Sequence, residues 1–227
     1  MGSHWSPLHA MKAYMHTLQL CKDYQYNDQD PVVEPKCMEF ISALAAGNQA
    51  RLLVDVAPAG VSSSTLALAI AARQTGGRLV CVRCGGGGDG DEEGLEEARD
   101  AVDRFGLGDV VEFRAGANPC ELIETLRDVD FAVVDQRAEG CAELFRRMDM
   151  NPGGSVVLVS NLFRGGRKRR ASYAQTALLR GKGRDVESAV LPIGNGIEVT
   201  RIGKCRRRRS PERVVSSRKR TFVVHEE

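Results

Sequence analysis

Apolar residues follow two different periods along the 227-residue chain. Near the N-terminus they recur every three or four positions, which predicts amphipathic helices over residues 7–24 and 35–47. Ser6 and Pro7 favour a helix start there, because serine caps free amides and proline fits the first helical turn. The chain therefore opens with two helices before its first strand.

Five short, continuous apolar runs then alternate with helical segments, as is typical of strands buried on both faces. Farther along, two strand-like stretches flank Gly194, Asn195 and Gly196, and Asn-Gly is a strong hairpin signal. We therefore predict an α/β fold: a Rossmann-like, doubly wound sheet of five parallel strands plus a C-terminal antiparallel hairpin, with helices on both faces. The five parallel strands are expected at residues 52–56, 79–82, 110–113, 131–134 and 155–159.

Charge divides the chain into two parts. Residues 164–227 hold 18 Lys/Arg and 6 Asp/Glu, a net +12, whereas the preceding residues carry a net −10. We expect one Rossmann-like domain over residues 1–203 and a basic tail over residues 204–227, in which residues 221–224 are a candidate edge strand. The four arginines Arg206, Arg207, Arg208 and Arg209 are candidates for contact with an acidic partner or a nucleic acid, and a solvated tail is the alternative.

Composition excludes several classes of protein. A hydrophobic fraction of 42% and a charged fraction of 27% argue against wholesale disorder. No run of 18 apolar residues is present, which argues against a membrane span. The seven cysteines are scattered and follow no secretory signal, which indicates reduced thiols in the cytoplasm or nucleus.

The end of the first predicted strand is the strongest candidate for a ligand site. Asp55 lies near the end of the apolar run at residues 52–56, Gly60 lies in the following turn, and Ser62 begins the next helix. In doubly wound sheets, ligands bind beyond the carboxyl ends of the strands. A carboxylate there can accept from an ammonium or hydroxyl group, and glycine lets the backbone approach closely. A bare turn explains the same residues equally well.

The order of these features resembles class I S-adenosylmethionine (SAM)-dependent methyltransferases, in particular their catechol- and caffeoyl-type O-methyltransferase branch. The features are, in order, a helix, the segment at residues 34–40, the first strand, the turn at residues 60–62, and Pro152-Gly153-Gly154 before the fifth strand. Residues 5–7, 39–47 and 73–80 resemble more closely a functionally uncharacterised plant family of that superfamily. The resemblance covers residues 5–203.

The resemblance implies cofactor-binding roles for residues at three strand ends. Asp55, Gly60 and Ser62 match the cofactor loop, while Ala57 replaces a glycine that is usual there. The remaining candidates follow the third and fourth strands: Gly116, Ala117 and Asp135.

The same resemblance also shows departures from the family pattern. The second strand ends without the acidic residue that binds the ribose hydroxyls, so Asp89 or Asp91 would have to replace it. Asp135 matches a metal ligand of the metal-dependent branch, but Ser160-Asn161 replaces its Asp-Asn pair. Asp135 and Asn161 alone make a poor magnesium site, so we expect no metal.

Two functions follow from this pattern. The first is SAM-dependent methyl transfer to a hydroxyl of a small molecule. The second is a non-catalytic binding module, a pseudoenzyme, whose basic tail contacts an acidic partner or a nucleic acid. Under the first hypothesis, we expect an open pocket bounded by Ala57, Gly60, Gly116 and Asp135. A basic side chain paired with Asp55 in that pocket would contradict the cofactor hypothesis.

Overall fold

The protein was analysed as a computed structural model. It describes residues 5–25, 35–58, 60–84, 90–116, 118–138, 141–163 and 184–205. The candidate site residue Ala117, the arginines Arg206–209 and the candidate edge strand at residues 221–224 lie outside these ranges. Asp89 lies outside them as well.

The strands form one seven-stranded sheet in the order β3-β2-β1-β4-β5-β7-β6. The first five strands pair in parallel, and the last two form an antiparallel hairpin whose β7 pairs with β5. The predicted fold class is therefore confirmed. The strands are β1 (Leu52–Ala57), β2 (Arg78–Arg83), β3 (Val111–Ala115), β4 (Phe131–Asp135), β5 (Ser155–Ser160), β6 (Arg184–Leu191) and β7 (Ile197–Cys205).

Helices cover both faces of the sheet. Alternate strand residues enter two separate apolar cores, because successive side chains of a strand point to opposite faces. On one face Leu53, Cys81 and Val133 pack with the two N-terminal helices and α3, and on the other Val54 and Val134 pack with α5 and α6. The helices are α1 (Pro7–Gln25), α2 (Pro35–Gly47), α3 (Ser63–Thr75), α4 (Gly90–Arg104), α5 (Pro119–Glu124) and α6 (Cys141–Arg147).

Trp5 joins the start of α1 to the end of α2. Its ring lies directly over Gly47, where an added Cβ would come within 2.2 Å of it. The neighbouring Ser6 amide donates to the Gly47 carbonyl at 2.7 Å. Only glycine leaves room for this ring, so Gly47 fixes the approach of the two helices. Among the helices of the described ranges, none combines the length and the apolar composition needed to cross a bilayer.

The strand order places the carboxyl ends of β1, β2, β3 and β4 along one edge of the sheet. The order reverses between β1 and β4, and in this fold class ligands bind at such a reversal. Asp55 on β1 pairs in register with Val133 on β4, so Asp135 lies two residues farther along the same face. That edge contains the residues that the resemblance assigned to a cofactor.

Candidate functional site

Asp55 is fully buried, and its carboxylate is already occupied. Oδ1 accepts from the Ser64 hydroxyl at 2.8 Å, and Oδ2 accepts from the Thr65 hydroxyl at 2.7 Å. Oδ2 also accepts from Nη2 of Arg83 at 3.0 Å, and this arginine is itself buried. Asp55 is therefore not free to accept from an ammonium or hydroxyl group of a ligand.

Arg83 ends β2, the strand position at which the resemblance calls for an acidic residue. Its Nε donates to the Gly60 carbonyl at 2.7 Å, and its guanidinium carbon lies 5.5 Å from the centre of the Phe113 ring. Burial is the largest single influence and lowers the pKa of Arg83, but the charge of Asp55, the neighbouring Cys81 and the hydrogen bonds to both together outweigh it, and the pKa is raised. The arginine therefore stays charged inside the fold.

The first turn of α3 holds this cluster in place. Ser62 caps the helix by accepting from the Thr65 amide at 3.3 Å, and the Thr65 hydroxyl accepts in return from the Ser62 amide at 3.0 Å. Gly60 precedes the cap with a φ of +63°, a left-handed conformation that favours glycine. The turn that the sequence predicts at Gly60 therefore leads into the cap of α3 and supplies the carbonyl that binds Arg83.

Asp135 at the end of β4 is also paired with an arginine. Oδ1 accepts from the Arg137 amide at 2.8 Å, and Oδ2 accepts from Arg137 Nη2 at 2.6 Å and from Asn161 Nδ2 at 2.9 Å. The hydrogen bond to Asp135 raises the pKa of Arg137. Asn161, the other candidate metal ligand, therefore contacts Asp135 as a donor, and the guanidinium lies against the carboxylate.

At this edge a buried Arg83, the last residue of β2, pairs with Asp55, which is the arrangement that contradicts the cofactor hypothesis. A groove of about 1280 Å³ lies at the opposite edge of the sheet, and none of the four expected residues lines it. Its lining residues include Asn48, Arg51, Gly77, Asp130 and Gly154. This groove lies at the amino ends of the parallel strands, away from the edge at which doubly wound sheets bind ligands.

Two of the other candidate residues contact the Asp55 cluster, Gly60 through its carbonyl and Ser62 through the cap of α3. Ala57, Gly60 and Ser62 follow Asp55 at the same end of β1, and Gly116 lies beyond β3. Their roles toward a cofactor stay predictions. Arg83 was missed as a partner of Asp55, because nothing in the sequence shows that Asp55 pairs in register with Cys81, two residues before Arg83. Thr65, which reaches Asp55 from the first turn of α3, was missed as well.

Comparison with known proteins agrees with the fold. The family model described as "Protein of unknown function (DUF1442)" matches residues 1–226. The chain belongs to DUF1442. No curated protein matches it. The resemblance of this DUF1442 chain to one plant family stays a prediction.

Three solved structures share the architecture of this DUF1442 chain. A methyltransferase from Geobacter sulfurreducens is 21% identical with a TM-score of 0.59, covering 82% of this chain and 88% of its own. S-adenosylhomocysteine (SAH)-bound PaMTH1 of Podospora anserina is 16% identical with a TM-score of 0.58, covering 89% and 91%. The O-methyltransferase TomG of Streptomyces achromogenes, in complex with SAM, is 17% identical with a TM-score of 0.54, covering 83% and 89%. At these identities the likeness shows a Rossmann-like methyltransferase fold.

The described residues do not fit the cofactor that this fold implies. SAM presents an ammonium group and ribose hydroxyls, and both need acceptors that are free. Here the acceptor on β1 is bound to Arg83, and β2 ends with a cation. A ligand at this position would have to displace the Arg83 guanidinium from its buried counter-ion, and separating such a pair is strongly unfavourable.

Proposed function

We propose that this chain is a non-catalytic binding module built on a methyltransferase scaffold, whose basic C-terminal residues contact a polyanion, either an acidic protein or a nucleic acid. The observation that carries the proposal is the occupation of both candidate carboxylates by arginines. Asp55 pairs with Arg83, and Asp135 pairs with Arg137. Neither carboxylate is left to hold a cofactor or a cation.

Metal-assisted methyl transfer is disfavoured on the same grounds. Magnesium requires several oxygen ligands in octahedral geometry. Asp135 already accepts from Arg137 and Asn161, and β5 ends with Ser160 in place of a carboxylate. A cation would therefore compete with a guanidinium for a single carboxylate.

The charge distribution supports the partner class. Residues 164–227 carry a net +12 against a net −10 for the rest of the chain. Clustered Lys and Arg bind polyanions by releasing condensed counterions, so affinity falls steeply with salt. A cytoplasmic or nuclear location, which the reduced cysteines favour, is compatible with such partners.

The cofactor half of the proposal is tested by calorimetric titration of the full chain with SAM and with SAH. We expect no heat of binding at millimolar ligand. Binding in the micromolar range would overturn the proposal and favour O-methyl transfer to a small-molecule hydroxyl instead. Circular dichroism of the same sample verifies that the protein is folded.

The partner half is tested by titrating heparin, as a model polyanion, at several salt concentrations. Replacement of Arg206–209 by glutamine should weaken binding and flatten the dependence on salt, since about one counterion is released per contacted anionic group. The matched control removes the same charge from exposed arginines of the body: Arg78, Arg99, Arg104 and Arg201. If the tail variant and the body-arginine control lose the same amount of heparin affinity, a specific role for the tail is contradicted.

A further inference from the structure

The guanidinium of Arg83 has all of its hydrogen bonds satisfied inside the protein. An arginine side chain carries five N–H donors. Nε donates to the Gly60 carbonyl at 2.7 Å, and Nη1 donates to the carbonyls of Asp55 at 3.3 Å and Val82 at 3.4 Å. Nη2 donates to Asp55 Oδ2 and to the Thr65 hydroxyl, both at 3.0 Å. No donor is left over for an external anion.

The acceptors that bind this guanidinium are positioned by other parts of the fold. The Asp55 carboxylate is held by the hydroxyls of Ser64 and Thr65, and the Gly60 carbonyl belongs to the turn that precedes the α3 cap. Phe113 on β3 presents its ring to the cation at 5.5 Å. Asp55 and Phe113 lie on strands and Ser64 and Thr65 on the first turn of α3, while Gly60 lies in the turn between β1 and α3, so the acceptors are positioned by elements other than Arg83.

The buried cluster borders residues that are partly exposed to solvent. It is at the carboxyl end of β1 and β2, beside the point at which strand order reverses. Cys84, the residue after Arg83, is partly exposed, and so is Gly60. A small ligand can therefore reach this position once the arginine head group is removed.

From these observations we infer that Asp55, Gly60 and Thr65 form a preorganised recognition site for a guanidinium or alkylammonium group, and that Arg83 is its internal ligand. The inference rests on the proposed function, because it supposes that Arg83 rather than a cofactor occupies this end of the sheet. It goes further by naming the chemical class that the vacated site binds. Under this inference, the Arg83 side chain alone determines whether the site is open to a ligand.

The test is chemical rescue of Arg83→Ala by methylguanidinium. The thermal midpoint of this variant should rise with ligand concentration, because a ligand that binds only the folded state stabilises it. The stabilisation grows with the logarithm of the ligand concentration once that concentration exceeds the dissociation constant. Wild-type protein should not be stabilised, since Arg83 fills the site. Urea and sodium chloride at equal concentrations control for denaturant and salt effects.

The double variant Asp55→Asn/Arg83→Ala is the matched control, because it keeps the cavity and removes the counter-ion. Calorimetry should show methylguanidinium binding at least about tenfold more weakly to it than to Arg83→Ala, in line with the loss of a charged hydrogen bond. Equal binding by the two variants, or no stabilisation of Arg83→Ala, would overturn the inference.

A second variant serves if Arg83→Ala does not fold. Arg83→Val keeps a strand-favouring side chain and still vacates the guanidinium position. Recovery of its circular dichroism signal by methylguanidinium during refolding is the expected result, and a signal that the ligand does not change would overturn the inference. Failed rescue leaves the proposed function standing, whereas SAM binding to wild-type protein overturns the proposed function without touching the rescue result.

Discussion

Asp55, two residues before the end of β1, and Asp135, the last residue of β4, lie on neighbouring strands and on the same face of the sheet, yet the arginines that pair with them lie in different surroundings. The Asp55 and Arg83 side chains are 1% and 6% exposed, while Arg137 is 51% exposed beside a buried Asp135. Arg83 comes from the adjacent strand and has all its donors satisfied inside the fold. Arg137 is two residues from its carboxylate and reaches it from solvent. The first pair is part of the core, and the second is a local cap.

The largest expected effect follows from this difference in burial. Arg83→Ala leaves a buried carboxylate without its counter-ion and should lower the free energy of unfolding by about 3–5 kcal/mol. Arg137→Ala should lower it by less than about 1 kcal/mol, as is usual for pairs that are open to water. Urea denaturation of both variants measures the contrast. Similar losses of unfolding free energy in Arg83→Ala and Arg137→Ala would show that burial does not distinguish the two ion pairs.

A double-mutant cycle sharpens the comparison. Asp55→Ala with Arg83→Ala should cost about 1–3 kcal/mol less than the sum of the single variants, because the double variant leaves no unpaired charge. For Asp135 and Arg137 the coupling energy should be below about 1 kcal/mol. The free energies come from the same urea experiments. If the losses of unfolding free energy in Asp55→Ala and Arg83→Ala simply add up in the double variant, Arg83 stabilises the fold through packing alone.

A smaller effect is expected when the exposed pair is challenged with a cation. Magnesium should leave the thermal midpoint of the wild-type protein unchanged. Arg137→Ala should respond only weakly, because Asp135 and Asn161 supply two of the six or so oxygen ligands that a hard cation requires. Differential scanning calorimetry with magnesium, and with EDTA as control, measures this. A saturable stabilisation of the wild-type protein by magnesium would refute the expectation.

The smallest effect concerns pH, to which the two arginine pairs and His16 should contribute differently. The pKa values of Arg83 and Arg137 are raised, so both arginines stay charged near neutral pH. Burial, and after it the charge of Arg73, lowers the pKa of His16 from its ordinary value of 6.5. The unfolded chain therefore binds more protons below pH 6.5, and the stability contribution of neutral His16 is lost as pH falls.

His16→Gln removes this group and should flatten the pH dependence of the thermal midpoint slightly between pH 6.5 and 5. The shift is small because the imidazole is only partly buried. Midpoints of the two proteins measured across that range provide the check. A steeper dependence in His16→Gln than in the wild-type protein would contradict the lowered pKa of this histidine.

Much of the fold could be predicted because its signals are local. Strand β4 is a continuous apolar run, which is what burial on both faces requires, and the hairpin between β6 and β7 is marked by Asn195-Gly196. The first helix, predicted over residues 7–24, runs one residue farther, because α1 ends at Gln25. Such boundary errors arise because helix ends depend on tertiary contacts as well as on the local sequence.

The sequence by itself determined the residue types at the sheet's carboxyl edge: Asp55 at the end of one strand, Asp135 at the end of another, and a basic residue where a ribose ligand calls for an acid. It did not determine which of these would meet. The pairing of Asp55 with Cys81 in register decides that Arg83 lies on the same face as Asp55, one step diagonally across the two strands. A shift of one residue would have placed the guanidinium on the opposite face of the sheet. Register is a property of the assembled sheet, and for that reason only the tertiary structure shows an arginine in the candidate cofactor site.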